Sequence, residues 1–174
     1  DAPVRETIHA VAKAIGKPVG EVIVAVLDRD RHQGLIEEIR RAGARVRLFT
    51  DGDVAMAIAP CLEVSAVDLL LGIGGSTEAV LAAAALRCLG GEILCRWKPK
   101  DDKHRARLAS VGITKFDGIM SARDLAKGDT ITFTATGVLP GPLLSGITAD
   151  GRHLITRSVV MSSNPKTVRF ITTH

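Results

Sequence analysis

The stretch Val22-Ile23-Val24-Ala25-Val26-Leu27-Asp28-Arg29-Asp30-Arg31-His32 decides the fold class. Six apolar residues run without interruption, the pattern of a strand covered on both faces. Asp28 ends the run. A helix follows, with Leu35, Ile36, Ile39 and Ala42 on one stripe and Gly43 as its stop. The alternation then repeats. Val46 to Phe49 reads as a second strand ended by Asp51, and Val54, Ala57, Ile58, Cys61 and Leu62 mark the next helix. Val67 to Ile73 reads as a third strand running into Gly74-Gly75. The helix after it is apolar nearly all round, which predicts burial. Ile93 to Trp97 and Asp101 to Val111 read as a fourth strand and helix. Upstream, Val4, Ile8, Val11, Ala12 and Ile15 define a helix over Ala2 to Ile15, with Pro3 in its first turn and Gly16 as its stop.

Strands alternating with helices predict parallel βαβ units. Asp28, Asp51 and Gly74 each follow a strand and recur at intervals of 23 residues. In a parallel sheet the three turns emerge at one edge, where open α/β sheets bind ligands. The last third has another character. Thr130 to Thr136 alternates strictly, as in a strand with one packed face. His153 to Met161 and Lys166 to Thr172 form a candidate hairpin about Asn164-Pro165. Ser121 and Asp124 fit a capping box for a short helix stopping at Gly128. The expected fold is α/β, a mainly parallel sheet with flanking helices plus C-terminal antiparallel strands, with residues 1–174 as a single lobe.

Composition bounds the function. The chain has 174 residues, net charge +4, 46% apolar residues and 3% aromatics. That apolar content, spread along the chain, excludes disorder. The longest apolar run, Ala79 to Leu86, is too short to cross a bilayer. Basic residues are interleaved with acids, and stacking aromatics are scarce, so no nucleic-acid stripe is expected. Cys61, Cys88 and Cys95 form no CxxC, which argues against a disulfide framework or a zinc ribbon. The expectation is a cytoplasmic protein without nucleic-acid or membrane partners. The chain opens with Asp1 rather than methionine, which reads as a processed product or a fragment.

The chemistry gathers in the three turns. Arg29 and Arg31 flank Asp30 where a strand meets a helix; guanidinium forks and free helix-start N–H groups both suit phosphate. The alternative is a surface loop of self-compensating charge. In the second turn, Asp51 and Asp53 flank Gly52. They either cap the helix or accept hydrogen bonds from sugar hydroxyls or bind a divalent cation. The third, Gly72-Ile73-Gly74-Gly75-Ser76-Thr77-Glu78, misses the dinucleotide fingerprint because Thr77 stands where a third glycine belongs. Its glycines let a ligand approach the backbone. Glu78, in the first helical turn, either complements the helix dipole or reaches a cation in the cleft. Together these residues describe a pocket for a phosphorylated polyol and a metal.

The succession Leu27-Asp28-Arg29-Asp30-Arg31-His32, Ala42-Gly43-Ala44-Arg45, Asp51-Gly52-Asp53-Val54-Ala55 and Gly72 to Ala84 resembles class II fructose-1,6-bisphosphatase. Leu89-Gly90-Gly91-Glu92, Ala135-Thr136-Gly137-Val138 and Arg157-Ser158-Val159-Val160-Met161 continue the likeness in the same order. The resemblance implies a fold of the inositol monophosphatase group and hydrolysis of the C1 phosphate of fructose 1,6-bisphosphate with Mn²⁺ or Mg²⁺. Some members also cleave sedoheptulose 1,7-bisphosphate. It further implies that Arg29, Asp30 and Arg31 hold the uncleaved phosphate, that Asp51, Gly52, Asp53 and Gly75 hold the sugar, and that Glu78 binds metal. Proline commonly stands where Asp30 does, which leaves Asp30 its backbone as a contact. The likeness covers the family's C-terminal half. The other metal-binding carboxylates and the water-positioning residues therefore belong to an N-terminal half absent from this chain, and no catalytic residue is expected within it. A homo-oligomer is expected. The alternatives are a non-catalytic phosphosugar-binding module and a nucleotide-binding domain.

Overall fold

A computed structural model describes residues 2–63 and 65–174; the reading attached to Asp1 falls outside them. Helix α1 (Val4–Ile15) leads through a single 3₁₀ turn to β1 (Ile23–Leu27). Then come α2 (Gln33–Arg41), β2 (Arg45–Phe49), α3 (Asp53–Ile58), β3 (Leu69–Leu70) and α4 (Ser76–Leu89). The last third contains α5 (Asp102–Ser110), α6 (Ala122–Leu125), β4 (Thr132–Thr136), β5 (Thr148–Asp150), β6 (His153–Ser163) and β7 (Lys166–Thr173). Pro3 caps α1 rather than entering it, and Gly16 ends it in the left-handed conformation.

The strand order β2-β1-β3 is parallel throughout. β1 is central, and its alternating side chains explain its unbroken apolar run. Val24 and Val26 pack with Ile8 and Ala12 of α1 and Ile36 and Ile39 of α2. Ala25 packs on the other face with Met56 of α3, Ala59 and Val67. Both faces are therefore dry.

A second, antiparallel sheet surrounds the long strand β6. β4 pairs with Ser158–Ser162, β5 with His153–Ile155 and β7 with Thr156–Ser163. Phe133, Val159 and Met161 of this sheet pack against Ala85 and Cys88 of α4 and Ile58 of α3. The α3–α4 pair thus joins the two sheets, with α3 packed on both and α4 on the antiparallel one. Helix α4 also carries Ala83 against Ala122 and Ala126, at the short helix α6. The expected brace at Ser121 is present: its N–H and hydroxyl both donate to Asp124, at 2.8 and 2.7 Å.

Four expectations need correction. The sheet is not mainly parallel: the three-stranded parallel sheet stands beside a separate four-stranded antiparallel one. The third strand shrinks to Leu69–Leu70, because the Asp68 carboxylate instead accepts the Ile23 N–H and ion-pairs with Lys17, and the glycine turn peels the chain away. Ile93 to Trp97 is not a fourth parallel strand. Its residues alternate in exposure as a strand would, but the ladder is one antiparallel bridge, Cys95 to Met120. Helix α4 is buried only in its second half. Val80 and Leu81, 42% and 47% exposed, lie before the part of the helix that enters the apolar clusters, which begins at Ala83. β5 was not foreseen, although Asp150-Gly151 is a strong hairpin signal and Asp150 does pair with His153 across that turn.

Candidate functional site

The three turns meet at the carboxyl edge of the parallel sheet. The Asp28 N–H donates to the Phe49 carbonyl at 2.8 Å, binding the first turn to the end of β2. The Arg29 guanidinium spans the same gap, donating to its neighbour Asp28 O at 2.7 Å and to Thr50 O at 2.9 Å. Arg31 reaches the other way. Its Nε and Nη2 donate to the Ile73 carbonyl at 3.2 and 2.7 Å. Each guanidinium is oriented by backbone carbonyls, and its remaining N–H groups are left for a ligand.

These residues line a cavity of about 500 Å³ with Thr50, Asp51, Gly52, Asp53, Val54, Glu78 and Leu81. Its size suits a small ligand. Gly52 holds φ +88°, which a side chain would strain, and so lets the second turn bend sharply into α3. Asp51 accepts the Gly52 N–H at 2.7 Å. A side chain on Gly74 would begin 3.3 Å from Asp53, and one on Gly75 would collide with the Glu78 carboxylate. The glycine pair is therefore what allows the two acids to approach the third turn. Cations thus sit at the end of β1, and carboxylates at the end of β2 and the start of α4.

Of the eight residues named from sequence, Arg29, Arg31, Asp51, Gly52, Asp53 and Glu78 line this cavity, and Gly75 abuts Glu78. Asp30 does not reach the wall; it opens the short 3₁₀ turn that leads into α2. Leu27, Thr50, Val54 and Leu81 complete the wall without having been named from sequence, and His32, given no role there, is buried behind it. The signal for His32 was its place directly after Arg31, in a turn that returns to an apolar strand.

The donor set bears on a metal. Among the described residues the Glu78 carboxylate has no hydrogen-bond or ion-pair partner, and a free, hard oxygen donor suits Mg²⁺ or Mn²⁺. The described residues hold no group of three or more His, Cys, Asp or Glu able to enclose an ion. One carboxylate fits a divalent cation as a single ligand, and enclosing the ion would need further oxygen donors. The three thiols are displaced from reactivity: burial pushes Cys61, Cys88 and Cys95 all upward. No helix among the described residues is long and apolar enough to cross a membrane.

Residues 1–174 match the family model described as bacterial fructose-1,6-bisphosphatase, glpX-encoded. The chain is 38% identical over 180 residues to the D-fructose 1,6-bisphosphatase class 2/sedoheptulose 1,7-bisphosphatase of Microcystis aeruginosa, covering 97% of this chain and 52% of the relative. The protein of the same name from Synechocystis sp. is 38% identical over 185 residues, covering 99% and 54%. The chain spans about half the length of these curated relatives. With a match over its whole length, it belongs to the glpX-encoded bacterial fructose-1,6-bisphosphatase family.

Proposed function

We propose that the full-length protein carrying this chain hydrolyses the C1 phosphate of fructose 1,6-bisphosphate, releasing fructose 6-phosphate and orthophosphate. Sedoheptulose 1,7-bisphosphate is its second substrate, and it works in cytoplasmic carbohydrate metabolism as a homo-oligomer. The observation that carries the reading is the juxtaposition of two oriented guanidiniums, two aspartates and an unpaired glutamate around one cavity, in a chain of this family.

The residues divide the work. Arg29 and Arg31 grip the phosphate that is not cleaved, which fixes the sugar without entering the bond-breaking step. Asp51 and Asp53 accept hydrogen bonds from sugar hydroxyls, and the bare backbone at Gly75 lets the ring lie close. Glu78 would hold a divalent cation. When bound, that Mg²⁺ or Mn²⁺ withdraws charge from phosphoryl oxygens and makes water a better nucleophile. In this reading the remaining metal ligands and the group that orients the attacking water come from an N-terminal half outside residues 1–174, and the whole has the inositol monophosphatase type of architecture.

A second reading has one observation in its favour. Because the described residues contain no enclosed metal-ligand cluster, the chain by itself acts as a phosphosugar-binding module without turnover. The nucleotide reading is disfavoured, since Glu78 would face a pyrophosphate at the start of α4 with like charge. The test measures orthophosphate released from fructose 1,6-bisphosphate with Mn²⁺ or Mg²⁺, by the full-length protein and by residues 1–174 alone. Metal-dependent release by the full-length protein is expected. Its absence in that protein, with retained binding of fructose 6-phosphate, would leave the binding module.

A further inference from the structure

His32 is 1% exposed and is the one buried polar side chain among the described residues outside the apolar cores. Both ring nitrogens are engaged. Nδ1 lies 2.7 Å from the Leu27 carbonyl, and Nε2 lies 2.8 Å from the Ile73 N–H. A carbonyl only accepts, so Nδ1 carries the proton; an N–H only donates, so Nε2 presents its lone pair. The contacts fix one neutral tautomer. Gly72 makes the arrangement possible, because a Cβ there would begin 3.3 Å from Nε2.

The partners matter more than the burial. Leu27 ends β1, where the phosphate turn begins. Ile73 lies one residue before the glycine pair and five before Glu78. The Ile73 N–H goes to His32, while the Ile73 carbonyl takes the Arg31 fork. Two consecutive residues of the first turn thus hold both polar groups of one residue of the third. We infer that His32 is a positioning residue, whose Nδ1-protonated imidazole locks the first and third turns together and so sets the Arg31 guanidinium and the start of α4 at a fixed separation for the substrate. The inference rests on the proposed phosphate-binding role of Arg31.

The test is a double-mutant cycle in the full-length protein, read as KM and kcat for fructose 1,6-bisphosphate with Mn²⁺. His32→Asn keeps a donor for Leu27 but loses the acceptor for Ile73. His32→Gln places an acceptor at about the reach of Nε2. Expected is a rise in KM of about tenfold or more for His32→Asn, with a smaller fall in kcat, and substantial rescue by His32→Gln. In an Arg31→Ala background, where the fork is already gone, His32→Asn should add less than about twofold to KM. A merely structural histidine would lower kcat through lost folded protein, leave KM unchanged and add fully to Arg31→Ala. Either of the last two results overturns the inference. Should His32→Asn fail to fold, Gly72→Ala, whose Cβ would begin 3.3 Å from His32 Nε2, takes its place in the cycle; a KM rise that vanishes in the Arg31→Ala background is expected, and an additive one overturns the inference. A protein that turns over no sugar bisphosphate defeats the proposed activity instead. The cycle is then read calorimetrically as affinity for inorganic phosphate, with additive effects again overturning the positioning role.

Discussion

Replacing Arg31 by alanine probes the phosphate grip with a magnitude the structure supplies. The guanidinium already gives Nε and Nη2 to the Ile73 carbonyl, so the ligand receives the rest of the fork. A hydrogen bond to a charged group is worth about 1.5–3 kcal/mol. The side chain is solvent-exposed at an open sheet edge, where water competes, so the lower part of that range applies. A loss of about 1.5–2 kcal/mol corresponds to a rise in KM of roughly 10–30-fold. The proposed contact is to the phosphate that stays, present alike in the ground and transition states, so kcat should change less than about threefold. Arg31→Lys should fall between, because an ammonium keeps the charge but not the fork. Orthophosphate release by the full-length protein, measured against bisphosphate concentration at saturating Mn²⁺, gives both constants, and thermal unfolding controls for stability. A KM within about twofold of wild type would remove Arg31 from phosphate binding. So would a loss confined to kcat.

Other outcomes follow from the same geometry. Glu78→Gln, on the exposed first turn of α4, should leave the thermal midpoint nearly unchanged yet cut turnover by about 100-fold or more at limiting Mn²⁺; full activity there would make Glu78 a helix-start residue only. All three cysteines should alkylate slowly with iodoacetamide at neutral pH while the protein is folded and quickly after denaturation, since burial holds their thiols above the ordinary range and Cys88 is fully enclosed. Asp124 has its carboxyl lowered by the Ser121 hydroxyl and then the Ser121 N–H. Its contribution is therefore present above the unfolded carboxylate value, about 3.9, and lost as pH falls through the lower folded value. Asp124→Asn should flatten the acid limb of a thermal-midpoint profile, and an unaltered limb would count against the cap.

How much was legible in the sequence depended on whether an element's partner left its mark on the element itself. β1 is buried on both faces, and its six-residue apolar run says so without reference to anything else. The β6–β7 hairpin declared itself through the turn at Asn164-Pro165. Ile93 to Trp97 has the alternation of a strand, yet no sequence pattern reveals whether a neighbour lies within pairing distance. Val67 was counted as a ladder residue because it is apolar; it is buried under α3 instead, while Asp68 takes the β1 N–H that a ladder would have used. The apolar run from Ala79 suggested burial, but Val80 and Leu81 lie before the clusters that take in Ala83, Ala85 and Cys88, and Leu81 faces the cavity, which depends on what packs against each turn of the helix. The site was more legible than the sheet. Turns between parallel strands and helices share one edge by topology, so Arg29, Arg31, Asp51, Asp53 and Glu78 could be grouped from their spacing. His32 was harder to group: its place after Arg31 marks it, but its contacts are to two backbone groups, one of them on Ile73, 41 residues away.

In the proposed function one cavity binds the uncleaved phosphate at its arginine turn and the reacting end near Glu78. A crystal structure of the full-length protein with fructose 6-phosphate and Mn²⁺ tests it most directly. The 6-phosphate is expected between the Arg29 and Arg31 guanidiniums, sugar hydroxyls within hydrogen-bonding distance of Asp51 or Asp53, and Mn²⁺ on the Glu78 carboxylate. Density for the sugar outside this cavity, or with its phosphate against Glu78 and its C1 end at the arginines, would contradict it.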